Sequence, residues 1–109
     1  MSGPAHGELW WCDHPEVGRR PVVVLSRMSA VRARGRAVVA PCTTVTRGLP
    51  ADVDLDPKTD PVPRPCVASL DSVESVSVAL LTERLGSLSS HRVRQICAAL
   101  AVATGCPSQ

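Results

Sequence analysis

The sequence contains no phenylalanine and no tyrosine, and Trp10 and Trp11 are its only tryptophans. That excludes the aromatic-lined groove with which polyproline-binding modules hold their ligands. It also leaves the core to Val, Leu, Ala and a few Cys, and a valine-rich core favours strands. Long apolar runs are absent too. ICAALAVA at 96–103 is the longest, far short of the ~20 residues a membrane-spanning helix needs. The start, MSGPAHGELWW, lacks the basic stretch followed by an apolar one that marks a secretory signal. A cytoplasmic protein is expected. No CxxC pair occurs among Cys12, Cys42, Cys66, Cys97 and Cys106, and their spacing suits no zinc site. Scattered cysteines of this kind are expected to be small buried hydrophobes. Neither a metal nor a cofactor is expected.

Acid is missing from a long stretch. Between Val17 and Ala51 there are seven arginines (19, 20, 27, 32, 34, 36 and 47) and no Asp or Glu. Between Asp52 and Glu74 the balance reverses, with six acids against Lys58 and Arg64. The net charge of +2 hides this asymmetry. Arginine grips phosphate through a planar fork of donors that lysine lacks. The layout points to a polyanion such as nucleic acid, with a merely solvated basic surface as the other reading.

What is present is a chain of 109 residues, the size of one domain. It is taken to run from 7 to 105, with a loose tail at 1–6 and a short one at 106–109. GELWWCD at 7–13 reads as a strand with Leu9 and Trp11 on one face and Glu8, Trp10 and Cys12 on the other. DHPEVG at 13–18 is a loop. Arg20 to Arg27 forms a central strand, and Pro21 fits at its start, where a missing N–H does least harm. SAVRARG at 29–35 reads as a polar, basic loop. Further strands are expected at 36–44, 51–56 and 83–88, with two short strands or one bent strand at 65–78. DPKTDPVPRP at 56–65 carries four prolines and is a loop. From Ser90 onward Val93, Ile96, Cys97, Leu100, Ala101 and Thr104 recur at helical spacing. Ser89 or Ser90 can cap the start and Gly105 the end. Short strands followed by one helix predict a mainly β (α+β) domain, a small, strongly bent β-barrel or half-barrel with a C-terminal helix.

GRRPVVVLSR at 18–27 sets Arg19 and Arg20 at the mouth of a core strand. Arginine is seldom buried without a partner, so an anion is expected to meet them there.

In order and interval, four blocks resemble the MazF/PemK toxin endoribonucleases: GELWWCD, GRRPVVVLSR, VVAPCTTVTRGLP, and ASLDSVESV with ERLGSLS. The resemblance spans about Gly7 to Gly105. It implies an SH3-like barrel of the MazF/CcdB kind and a homodimer. It implies metal-independent cleavage of single-stranded RNA at a short sequence, and an antitoxin whose disordered tail fills the RNA groove. An acidic tail would suit the arginine-rich face.

In that resemblance Arg20 and Thr43 match the two catalytic positions, the Arg of Arg-Pro and the Thr after Pro-x. Metal-independent cleavage uses the 2′-hydroxyl of the RNA itself. The enzyme positions it, neutralises charge building on the phosphoryl oxygens and helps protonate the leaving oxygen. Arg19, His14, Arg47 and Thr44 are candidates for RNA binding, and Arg32, Arg34 and Arg36 could line the path. A general base is not evident. His14 in the first loop could approach the groove or simply be a surface histidine, and Glu16 or Asp13 could serve instead. Of the two tryptophans, one is expected in the core. The chain departs from the family pattern at Asp71-Ser72-Val73-Glu74, where many members end in a basic residue. The alternative reading is a CcdB-like toxin that binds DNA gyrase without cutting anything. Such a protein would not need the Arg20–Thr43 pair.

Overall fold

The computed structural model describes residues 3–45 and 47–107. Its elements run β1 (Glu8–His14), β2 (Gly18–Val24), α1 (Met28–Arg34), β3 (Arg36–Thr43), β4 (Asp52–Leu55), β5 (Cys66–Ser69), β6 (Glu74–Ser77), β7 (Leu81–Ser87) and α2 (Ser90–Thr104). Single 3-10 turns at Leu70–Ser72 and Val78–Leu80 follow β5 and β6, so 65–78 holds two strands rather than one bent one. The strand ladders are antiparallel, in the order β4-β5-β3-β2-β1-β7, with β6 added to β3. Among the described residues no ladder joins β4 to β7, which leaves the sheet open along that seam.

The valine run of β2 explains the layering. Successive strand residues point to opposite faces, so a run apolar at every position needs cover on both. Val23 packs with Leu9, Ala40, Leu70, Ile96 and Ala99. Val22 and Val24 pack with Cys12, Val31, Ala37, Val39, Val76 and Leu81 on the other side. Burying one such valine contributes roughly 1.5–3 kcal/mol.

Helix α2 covers the first face. Ile96 and Ala99 are its buried residues, the Ser89 hydroxyl accepts the N–H of Arg92 at its start, and Gly105 ends it in the left-handed conformation (φ 72°). Such a φ costs a side-chain-bearing residue strain that glycine avoids. Gly86 has a different reason. A Cβ there would stand 2.7 Å from Pro61, so glycine lets the proline-rich loop lie directly on β7.

Helix α1 corrects the loop expected at 29–35. It is one and a half to two turns long by ordinary helix geometry, with no acid in its first turn and no side-chain cap at Arg27. One residue, Val31, is buried, seated in the second core, and Gly35 closes it by donating its N–H to Val31 O at 2.8 Å. A helix with a single anchoring residue has no apolar periodicity to read.

The cysteine expectation holds for Cys12, Cys42 and Cys66, which are buried, and fails for Cys97 and Cys106, which are exposed. Residues 1, 2, 108 and 109 of the expected tails lie outside the described residues. The nearer part of the N-terminal one is tied down rather than loose. Pro4 is buried, Ala5 N–H donates to Glu8 Oε1 at 2.9 Å, and His6 Nδ1 bonds Leu25 O at 2.8 Å.

Candidate active site

Strand β3 changes partners along its length. Arg36–Val39 pair with β6, while Cys42 and Thr43 pair with β5. On its other edge, Val39–Pro41 pair with Val24–Val22 of β2, and the ladder stops there. Pro21 and Pro41 flank the stopping point, and neither has an N–H to continue it. Carried two residues further, the same register sets Arg20 opposite Thr43. The strands instead part, and a cleft of about 330 Å³ opens between them.

Trp11, Arg19, Arg20 and Pro21 line one wall of the cleft, and Cys42, Thr43 and Thr44 line the other. Pro63, Arg64 and Cys66 complete it. The proline-rich loop had offered no signal beyond its turn residues, yet it supplies this third side. Four of the six residues singled out from sequence therefore meet in one place: Arg19, Arg20, Thr43 and Thr44.

The cleft is cationic. Arg20, half-buried, has no carboxylate partner among the described residues. Arg64 is exposed at the rim. Arg19 Nη2 donates to Glu83 Oε1 at 3.1 Å and its guanidinium lies over Trp11, 4.6 Å from the ring centroid. Thr43 Oγ1 accepts the N–H of Val45 at 3.1 Å. With a lone pair so engaged, its own O–H is left to donate to an anion.

Two thiols, Cys42 and Cys66, lie in the lining. A hydrogen bond with Cys66 and then burial hold the Cys42 thiol well above its ordinary range; nearby Arg20 pulls the other way. Behind Arg20, burial first and the Glu74 charge second push Cys12 up, while Arg20 opposes them. Cys12 and Cys42 are thereby held as neutral thiols beside a cationic site. Among the described residues no group of three or more His, Cys, Asp or Glu side chains is placed to hold a metal ion.

His14 and Arg47 are not in the cleft wall. His14 ends β1 opposite Gly18. Its Nδ1 accepts the Glu16 N–H at 3.1 Å, so its Nε2 carries the proton and donates to Glu74 Oε1 at 3.0 Å. The pattern-breaking Glu74 is thus the partner of His14, sixty residues away in the chain. Arg47 is exposed on the loop after β3. The two tryptophans divide as expected. Trp10 packs on the second core and donates its Nε1–H to Glu8 Oε1 at 3.0 Å, whereas Trp11 faces the cleft.

Residues 5–104 match the family described as PemK-like, MazF-like toxin of type II toxin-antitoxin system. A Mycobacterium tuberculosis protein named "Probable endoribonuclease MazF5" is 59% identical over 103 residues, covering 94% of each chain. The Escherichia coli K12 "Endoribonuclease toxin MazF" is 34% identical over 80 residues, 68% of each. A solved mycobacterial structure, "Endoribonuclease in complex with its cognate antitoxin", superposes with a TM-score of 0.87 at 26% identity, covering 98% of this chain and 100% of that one.

Proposed function

The chain belongs to the PemK-like, MazF-like toxins of type II toxin–antitoxin systems and is an endoribonuclease, and on that premise we propose that Arg20 and Thr43 cut single-stranded RNA without a metal, using the 2′-hydroxyl of the RNA as nucleophile. The observation that carries this reading is the convergence of Arg20 and Thr43 across one cationic cleft. The 2′-oxygen bonds to phosphorus as the bond to O5′ breaks. The 2′-proton is given up, and O5′ gains one. The products are a 2′,3′-cyclic phosphate, or the 3′-phosphate into which it opens, and a 5′-hydroxyl end.

Arg20 presents two parallel N–H groups to the phosphoryl oxygens, whose charge grows in the transition state. The Thr43 hydroxyl adds a third donor. Arg19, Arg64 and Thr44 hold the flanking RNA, and Arg47 extends the basic path beyond the cleft. His14, turned to Glu74, takes no part in the cleft itself. The toxin acts in the cytoplasm as a homodimer and is neutralised by an antitoxin whose acidic, flexible tail occupies the same basic cleft. A gyrase-binding toxin would not need the Arg20–Thr43 pair that lines the cleft.

The test is cleavage of a long single-stranded RNA in EDTA with end-group mapping. Cuts at a recurring short motif with 5′-hydroxyl ends support the reading, and one 2′-deoxy nucleotide at a mapped cut should abolish that cut alone. Continued cleavage at the deoxy site, or 5′-phosphate ends, would overturn it.

A further inference from the structure

Trp11 sits in register between Pro21 of β2 and Glu83 of β7. Arg19 lies over its ring at 4.6 Å and is held from the side by Glu83 at 3.1 Å. The guanidinium is therefore fixed at two points, yet half of the Arg19 side chain remains open, 50% exposed. An ion pair this exposed adds little to stability, so the fold gives no strong reason to hold the plane in place. The cleft does, because Trp11 and Arg19 both form part of its wall beside Arg20. Arg19 and Arg20 are consecutive in a strand and leave it on opposite faces. Each is suited to a different part of a bound nucleotide, one to the phosphate and one to a base.

Building on the assignment of Arg20 to the scissile phosphate, we propose that Trp11, Arg19 and Glu83 form a stacking platform for the unpaired base beside the cut, and so help set where the RNA is cut. The base lies on the open face of the Arg19 guanidinium, Trp11 backs that plane from below, and Glu83 stops it rotating. Unpaired RNA bases stack on aromatic rings and on arginine planes in this way. A purine overlaps the platform more than a pyrimidine does, so the platform favours a purine at that one position.

The experiment compares wild type with Trp11→Leu, Trp11→Phe and Glu83→Gln, each checked for folding by thermal unfolding. Two readouts are taken. One is kcat and KM with cut-site frequencies on a long single-stranded RNA. The other is binding to a random-sequence 2′-O-methyl RNA, which lacks the nucleophilic hydroxyl. Loss of a base's direct stacking partner weakens binding roughly 5- to 150-fold, and Trp11, which backs the Arg19 plane rather than touching the base, belongs at the low end of that span. Trp11→Leu should lower kcat/KM to that extent, mainly through KM, and flatten the purine preference at one position. Trp11→Phe should recover most of both. Glu83→Gln, on the surface, should flatten the preference with a smaller loss. Unchanged KM and base preference in Trp11→Leu, or in Glu83→Gln if the leucine variant does not fold, overturns the platform and leaves the Arg20 reading intact. If wild type cuts nothing, the endoribonuclease reading fails by itself. The platform is then upheld by weaker binding of the methylated RNA in Trp11→Leu with recovery in Trp11→Phe, and overturned by equal binding.

Discussion

At one end of β2, Val22, Val23 and Val24 are at most 2% exposed, and Val22 and Val23 are paired on both sides. At the other end, Gly18 to Pro21 pair with β1 alone, and Arg19, Arg20 and Pro21 open onto the cleft. Seven consecutive residues thus serve two ends. The buried half supplies stability through apolar contact. The open half gives up one ladder, at two prolines, and gains a cleft with a fixed cation in its wall. The difference shows how a rigid strand can aim a side chain into a cleft: the valines hold Arg20 in place, and Arg20 contributes nothing to the core that holds it.

This division can be broken from either end. The largest effect is expected for Arg20→Glu, which sets a carboxylate at the proposed site of the scissile phosphate. Like-charge contact of this kind costs several kcal/mol, so cleavage should fall more than about 1,000-fold while the unfolding midpoint in urea stays put. Val23→Ala should do the reverse. Chemical denaturation should show a loss of roughly 1.5–3 kcal/mol, with the cleavage rate of the folded fraction unchanged. A smaller effect on rate is expected for Thr43→Val, which keeps the side-chain shape and removes the hydroxyl. One hydrogen bond to a charged group is worth about 1.5 kcal/mol at the low end, so kcat should drop about tenfold.

The smallest effect lies at the far end of β1, away from the cleft. Burial pushes the Glu8 carboxyl up, but hydrogen bonds from Trp10, Arg84 and the Ala5 N–H outweigh it and hold it below its ordinary value of 4.5. A carboxylate with a lowered folded-state pKa stabilises above its unfolded pKa, and that stability is lost as pH falls through the folded value. Melting curves should show wild type losing more stability than Glu8→Gln as pH drops below 4.5, and the two keeping a constant gap at neutral pH.

Much of this comparison was legible in the residues. The valine run announced a strand covered on both faces, and Ser89, the 90–104 periodicity and Gly105 announced α2. The family resemblance singled out Arg20, just before Pro21, and Thr43, two residues after Pro41, and both line the cleft. Features made by distant pairing were not legible. Helix α1 rests on Val31 alone, so nothing periodic marked it. Glu74 looked like a departure until β6 paired with β3 and brought it to His14. Pro63 and Arg64 sat in a loop whose composition says only that it turns. The stack of Arg19 on Trp11 needed the β1–β2 register, and the hold of Glu83 needed the bulged pairing of β7.

Single-turnover cleavage by Arg20→Ala at saturating RNA is the most direct test of the role proposed for Arg20. Loss of one preorganised transition-state donor predicts a rate roughly 100- to 1,000-fold lower, in a protein that unfolds at the wild-type denaturant concentration. A saturated rate equal to wild type would contradict the account and place the chemistry elsewhere in the cleft.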